Sequence, residues 1–278
     1  MNDVNVAVIM SVYKNDNFSQ IKEAVDSIML QTLHCHLFVV ADGPVCPDVH
    51  DYFLTIAGKN NCLFSVYYFP RATNLGLAPS LNELIDYVLQ SENKYLYIAR
   101  MDADDICYPE RLQKQVDYFL VHQVVDVLGT GCVEFSSTNE SIYTKILPEK
   151  NKTLKKELIK RCPFVHPSVM FRINLFRDGV RYPTDTKFTE DYAFWVLLAV
   201  KGYEFGNVQE ALIKFRFESD VLARRRGLKK ANSEFSARWN AMNQLDCMSL
   251  ENIFYSFAIW GLRVVPPSIA NIAYKKLR

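Results

Sequence analysis

Ile98-Ala99-Arg100-Met101-Asp102-Ala103-Asp104-Asp105-Ile106-Cys107-Tyr108-Pro109-Glu110-Arg111 is the stretch that decides how this chain folds and where its chemistry sits. An apolar run, Tyr95 to Ile98, leads directly into Asp102, Asp104 and Asp105, and Pro109 then opens an amphipathic segment. Several carboxylates therefore fall just past the end of a buried strand. In an open α/β sheet, ligands bind outside the carboxyl ends of the strands. Three crowded acids repel one another, and a divalent cation relieves the repulsion. Mg²⁺ or Mn²⁺ takes one or two protein carboxylates and fills its other positions with phosphate oxygens. The segment reads as a metal–phosphate site. The competing reading is an acidic turn capping the next helix, because Asp and Glu suit helix N-termini.

Working outward, Val4 to Val12 is a mostly apolar, β-branched run, as expected of a parallel strand buried on both faces. It has no basic leader or small-residue cleavage site and reads as a first strand, not a signal peptide. Ile21, Ala24, Val25 and Ile28 then fall at helical spacing. Leu37 to Val40 is a second strand, closed by Asp42-Gly43-Pro44, and Phe64 to Phe69 is a third. Leu81, Leu84, Ile85 and Val88 mark a helix leading into Tyr95 to Ile98, and Leu112, Val116, Phe119 and Leu120 mark another. The order β-α-β-β-α-β-α predicts a doubly wound, mixed and mostly parallel sheet flanked by helices.

Beyond residue 130 the pattern is less regular. Cys132 to Ile146 reads as a strand pair or meandering edge, Lys150 to Lys160 as a basic exposed helix, and Phe194 to Val200 as a short apolar helix after Glu190-Asp191. Leu250 to Arg278 mixes Phe254, Phe257, Trp260, Leu262 and Val265 with Arg263, Lys275, Lys276 and Arg278, and Pro266-Pro267 splits it into two helical pieces.

Composition narrows the class. With 278 residues the chain holds a sizeable core, and 49% apolar with 23% charged residues is ordinary for a globular protein. A net charge of +1 lends no support to nucleic-acid binding. Seven scattered cysteines without a Cys-x-x-Cys pair suit a reduced, cytoplasmic chain with buried thiols. The best membrane-spanning candidate, Ile253 to Leu262, is about half the roughly 20 residues required.

Four loop clusters fall at predicted carboxyl ends of strands: Ser11-Val12-Tyr13-Lys14-Asn15, Ala41-Asp42-Gly43-Pro44, Arg71 to Leu77 with Asn82 in the following helix, and Arg100 to Asp105. Singly, the first three read as turns, Asp-Gly-Pro above all. Four in order on one sheet edge describe a nucleotide crevice. His34-Cys35-His36 lacks further ligands, abuts a strand and is set aside as a metal site.

With these motifs the sequence resembles the family 2 glycosyltransferases of GT-A (Rossmann-like) fold, particularly bacterial enzymes of surface-polysaccharide and O-antigen assembly, over roughly residues 4 to 220. The resemblance implies a GT-A catalytic domain over 1–220, with a nucleotide-binding part over 1–125 and an acceptor-side part over 126–220. A C-terminal helical extension over 221–278 follows. It implies that Ser11, Val12, Tyr13 and Asp42 hold the base and ribose of a nucleotide-sugar. Arg71, Asn74, Gly76, Leu77 and Asn82 line the same pocket, together with Arg100, Asp102 and Ala103. Asp104 holds the metal on the diphosphate. Many relatives carry two acids at the second turn, where this chain has Ala41 and a single Asp42. Pro163 to Arg172, with His166, resembles the segment bordering donor sugar and acceptor. Thr189-Glu190-Asp191-Tyr192-Ala193-Phe194-Trp195 resembles the family's Glu-Asp motif, whose Asp is the catalytic base; Glu190 and Trp195 belong to the same stretch. Read from the residues alone, Glu190-Asp191 is a helix N-terminal pair and His166 a structural histidine.

The implied activity is transfer of a sugar, best matched by galactose from a UDP-sugar, to an undecaprenyl-diphosphate-linked acceptor in lipopolysaccharide O-antigen or capsule assembly. Mn²⁺ or Mg²⁺ on Asp104 serves as Lewis acid on the departing diphosphate. Arg71 and the run Arg224-Arg225-Arg226 could add positive charge there. Asp191 removes the acceptor's proton, and one in-line displacement inverts the anomeric centre. The tail, apolar between Phe254 and Val265 and basic beyond, suits a peripheral anchor at the inner face of the cytoplasmic membrane, or a helix packed on the domain or on a second copy. The rivals are a sugar nucleotidyltransferase, for which no Gly-rich, Lys-containing loop lies near residue 15, and a catalytically inactive nucleotide-binding accessory subunit. A haloacid-dehalogenase phosphatase would carry its Asp-x-Asp after the first strand, not the fourth.

Overall fold

A computed structural model of the chain describes residues 5–57, 64–136, 140–186, 189–217 and 227–265. The first half alternates strand and helix: β1 (Val6–Val12), α1 (Phe18–Met29), β2 (Cys35–Ala41), α2 (Pro47–Ala57), β3 (Phe64–Pro70), α3 (Leu77–Gln90) and β4 (Tyr97–Arg100). A two-residue strand β5 (Ile106–Cys107) and α4 (Arg111–Val121) follow. The second half holds β6 (Val127–Phe135), β7 (Ser141–Lys145), α5 (Asn151–Glu157), β8 (Met170–Arg172), α6 (Asn174–Arg177), α7 (Glu190–Val200) and β9 (Phe205–Arg216). Two helices close the described chain, α8 (Leu228–Gln244) and α9 (Leu250–Val264).

One sheet runs β3-β2-β1-β4-β8-β6-β9-β5, with β7 paired to β6. β3, β2, β1 and β4 are mutually parallel, and β8 enters antiparallel between β4 and β6. β1, β2 and β4 are mostly apolar along their length because both faces are covered. In β1, Ala7 and Ile9 point into one core with α3, α7 and α8, while Val6, Val8, Met10 and Val12 point into another with α1, α2 and α4. All four apolar residues predicted to bury α1 and all four predicted for α3 do so.

Three expectations change. A helix, α2, stands between β2 and β3 where the sequence reading runs strand to strand. Pro47 opens it and Asp48 lies in its first turn, and Val49 and Phe53 bury one stripe at i and i+4. Leu120 of α4 is 63% exposed, so the buried stripe there is Leu112, Gln115 and Phe119. β6 is an interior strand: β7 pairs with it, but β8 and β9 flank it. Pro266-Pro267, Lys275, Lys276 and Arg278 lie outside the described residues.

Candidate functional site: an acidic cleft at the sheet's carboxyl edge

The register aligns Val12 with Ala41, Ala41 with Pro70, and Ile9 with Arg100, so the loops after β1, β2, β3 and β4 leave the sheet side by side. The ladder continues one residue into the loops: Asp42 N–H donates to Val12 O at 2.7 Å, Arg71 N–H to Ala41 O at 3.1 Å and Met101 N–H to Ile9 O at 3.1 Å. These loops wall an open cleft of about 830 Å³, lined by Ser11, Tyr13, Lys14, Asp16, Asp42, Pro44, Asn74, Gly76, Leu77, Arg100, Asp102, Ala103 and Asp104. That size lies in the range of small-molecule sites. Ten of the predicted donor-site and metal residues share it: Ser11, Tyr13, Asp42, Asn74, Gly76, Leu77, Arg100, Asp102, Ala103 and Asp104.

The turn after β2 is locked. Asp42 is buried, and its carboxylate accepts from Leu75 N–H (2.7 Å), Gly76 N–H (2.9 Å) and the Arg71 guanidinium. Asn74 Nδ2 donates to Asp42 O at 2.9 Å. Gly43 permits the close approach: its φ is +83°, and a Cβ there would meet Asn74 N at 2.8 Å. Arg71 also reaches Glu83 and Ser80 Oγ, each at 2.7 Å. Its charge is thus shared by two carboxylates, Asp42 and Glu83, and Arg71 is not among the residues lining the cleft.

The turn after β4 is the opposite. Oxygens of Asp102, Asp104 and Asp105 lie within 4.8 Å of one another. Arg100 forks onto both oxygens of Asp102, one at 2.8 Å. Asp105 is buried; its Oδ1 accepts from Arg216 N–H at 2.8 Å, and its Oδ2 has no hydrogen-bond partner among the described residues. Enclosure by the cleft walls, and then Asp102, push the Asp104 carboxyl up to about 6. An orphaned carboxylate oxygen beside two neighbouring acids is what a hard divalent cation satisfies, so the residues fit a Mg²⁺ or Mn²⁺ ion. The acids do not cap a helix. β5 intervenes, and α4, starting at Arg111, has no acid in its first turn.

Three side chains that the sequence reading did not single out shape this turn. Arg216, at the end of β9, donates its Nε to Asp104 O at 2.8 Å and its Nη2 to Glu23 at 2.7 Å. Arg111 is fully buried and donates to Arg100 O at 2.8 Å. Asp16 lines the cleft and accepts from Tyr13 N–H at 2.9 Å; burial chiefly, with Asp104 and Asp102 adding, pushes its carboxyl up to about 7. Only the first loop's position marks Asp16 in sequence, and nothing local marks the arginines.

The remaining predicted residues stand behind or beside the cleft. Val12 turns its side chain into the core and offers only its backbone. Asn82 is paired with the Tyr182 backbone (2.8 and 2.9 Å) and so supports the wall, not the ligand. Trp195 is fully buried, edge-on to Phe164 and His166, so it supplies core volume and not a ligand surface. His166 shares a 3.1 Å hydrogen bond with Tyr182 Oη, and burial and then the nearby Arg100 hold it well below the usual histidine range, hence neutral. Glu190 and Asp191 form the first turn of α7, outside the cleft lining. Asp191 accepts from Tyr192 N–H at 2.7 Å. It acts electrostatically on Tyr182, as do Arg100 and Asp102, so the helix end and the acidic turn bracket one tyrosine. Burial and then Asp191 raise the Glu190 carboxyl. Arg224, Arg225 and Arg226 lie outside the described residues. Buried His36 shares a 2.6 Å hydrogen bond with Tyr95. Cys35, Cys107 and Cys132 are buried thiols, while Cys46 is exposed.

Residues 7–180 match the family model "Glycosyl transferase family 2". The chain is 27% identical over 273 residues to an amylovoran biosynthesis glycosyltransferase of Erwinia amylovora, covering 98% of each. It is 26% identical over 274 residues to UDP-Gal:alpha-D-GlcNAc-diphosphoundecaprenol beta-1,3-galactosyltransferase of Escherichia coli, covering 98% of this chain and 95% of that one. Among solved structures it superposes with TM-score 0.63 on S. aureus TarS in complex with UDP (16% identity; 87% of this chain, 70% of that one). A mannosyltransferase of Pyrobaculum calidifontis in complex with GDP-Man and Mn²⁺ gives 0.61 (16% identity; 99% and 80%). The fold is that of the GT-A glycosyltransferases.

Proposed function

This chain belongs to glycosyl transferase family 2, and from that premise we propose that it is a metal-dependent, inverting hexosyltransferase that moves galactose from a UDP-sugar to an undecaprenyl-diphosphate-linked acceptor in O-antigen or capsule assembly. Residues 1–220 form its catalytic part, and 221–278 an extension. The observation that carries the reading is the joint placement of Asp42, Asp102 and Asp104 in one open cleft. The acceptor and donor follow the name of the Escherichia coli relative.

The cleft does three things in this reading. Ser11, Tyr13 and Asn74 bind the nucleoside end against a wall fixed by Asp42. Asp104, with Asp102 beside it, holds Mn²⁺ or Mg²⁺, which when bound neutralises charge on the departing diphosphate. Asp191 takes the proton from the acceptor hydroxyl, from its place in the first turn of α7. A single displacement inverts the anomeric carbon. A lipid-linked acceptor puts the reaction at the inner face of the cytoplasmic membrane. Among the described residues no helix is long and apolar enough to cross a membrane.

A thermal-shift screen of nucleotide-sugars with and without Mn²⁺, followed by transfer of radiolabel from the stabilising donor to a lipid-linked N-acetylhexosamine, tests this. Stabilisation by UDP-galactose only with metal, and labelled product, are the expected results. Release of pyrophosphate, or binding without turnover, would overturn the reading in favour of a nucleotidyltransferase or an inactive subunit.

A further inference from the structure

Helix α9 is held to α8 in part by polar contacts and leaves a run of large apolar side chains in solvent. Its polar side chains face inward: Trp260 Nε1 donates to Asn232 Oδ1 of α8 at 2.8 Å, Arg263 to Glu234 of α8 at 3.0 Å, and buried Ser256 Oγ to Asn252 O at 2.8 Å. Ile253 packs on the core, while other large apolar side chains face outward. Leu250, Phe254 and Phe257, spaced i, i+4, i+7, are 88%, 76% and 55% exposed, and Ala258 continues the stripe. Beside it, Phe235 and Trp239 of α8 form with Phe257 the apolar walls of an open groove of about 380 Å³. A contiguous exposed apolar patch of this kind marks an interaction surface.

The charge around the stripe says which partner. Helix α5 and the residues after it carry Lys152, Lys155, Lys156, Lys160 and Arg161 against Glu157. Lys160 bridges to Glu251 in the first turn of α9, and Lys156 is close enough to act on the same carboxylate. Lys152 and Lys156 are exposed. An apolar helical stripe with aromatic rings, near exposed lysines, matches an anionic lipid surface on both counts: acyl boundary for the rings, phosphate for the lysines. A protein partner would not need both, and a second copy would bring like charge against the lysines.

The geometry points to the outer face of α9, with the aromatic edge of α8 and the basic helix α5, as the surface by which this protein docks on an anionic bilayer. The inference deepens the reading of a lipid-linked acceptor and rests on it for the choice of membrane. The docking helices also back the catalytic part: the Arg238 guanidinium of α8 lies 5.4 Å over the ring of Tyr192, the residue after Asp191.

The test uses the full chain and no nucleotide or acceptor. Co-sedimentation with phosphatidylglycerol-rich and with phosphatidylcholine vesicles should show binding to the former, weakened by salt. Phe254→Glu with Phe257→Glu should reduce vesicle partition about tenfold or more, as loss of two buried rings implies. Lys152→Glu with Lys156→Glu, both on exposed positions that cannot unfold the core, should do so by a similar factor. Bromolipid quenching of Trp239 fluorescence, lost in Trp239→Phe, should report insertion. Absence of vesicle binding by the unaltered chain, or binding indifferent to both double variants, would overturn the proposal. So would a dimer in sedimentation equilibrium that Phe254→Glu abolishes. Metal-dependent donor binding, measured in the same samples, stays unchanged throughout; its failure would strike the transferase reading and leave the docking result standing.

Discussion

Two acidic turns, one after β2 and one after β4, lie on the same edge of the same sheet and are built for opposite ends. Asp42 sits among three sets of donors, so its charge is compensated by the fold itself. Asp102, Asp104 and Asp105 are crowded within 4.8 Å; the Arg100 guanidinium pairs with Asp102 alone, Arg216 reaches the Asp104 backbone, and a buried Asp105 oxygen has no partner among the described residues. A carboxylate satisfied by its own protein is a strut. Carboxylates left short of donors are a demand on something from outside. Neither turn offers a spare proton acceptor, because Asp42 is engaged and the β4 acids are needed for the cation.

The largest effect should therefore come from an acid in neither turn. Asp191→Asn is expected to lower kcat by about 10²- to 10⁴-fold while the affinity for the UDP-sugar in Mn²⁺, measured by titration calorimetry, stays nearly constant. If activity survives, one of the two turns does supply the base and the comparison above is broken. Next comes Asp104→Asn, which should weaken donor binding in Mn²⁺ on the order of a hundredfold and abolish its sensitivity to chelator, as loss of a metal-bound carboxylate does. Donor binding that persists and still responds to Mn²⁺ would move the cation to other ligands.

Arg71→Met probes the strut. It leaves Asp42 with its two backbone donors and deprives Glu83 of its ion pair. Because Asp42 is almost fully buried and Glu83 about one-third exposed, the cost belongs at the lower end of the buried-pair range, about 2–3 kcal/mol. That corresponds to a drop in Tm of about 3–5 °C for a chain of this size. Mn²⁺ affinity should be unaffected. A variant that melts normally but loses metal would show that the two turns are one network.

The sequence carried the strut and the demand unequally. β1, β2 and β4 are legible because parallel strands covered on both faces read as continuous apolar runs, and the acidic turn is legible because its three carboxylates are local. The partners that distinguish the turns are remote. Arg216 reaches Asp104 and Asp105 across 112 and 111 residues of chain, and Asn82 reaches Tyr182 across 100. No spacing rule connects such positions. Arg71 was legible as a loop arginine beside the cleft, but which way it points depends on Glu83 and Ser80 one turn into α3. Helix α2 was missed because its buried stripe is two residues, Val49 and Phe53, too short for a periodic signal.

The smallest effect is a dependence on pH that separates the turns without mutating either. Burial first, then Asp104 and Asp102, raise the Asp16 carboxyl to about 7, and enclosure and Asp102 raise Asp104 to about 6. Unfolded, both would titrate near 4. A folded pKa above the unfolded one means that the native state binds the extra proton, so this contribution to stability is complete below about pH 4 and is lost as pH rises through 6 to 7. In chelator, Tm should therefore decline between pH 5 and 8, and Asp16→Asn should flatten the decline. Saturating Mn²⁺ should reverse its sign, because the ion binds the ionised carboxylates. Stability in chelator that instead rises over this window would mean that the acids around Asp104 are compensated from within, and the turn after β4 would be a second strut.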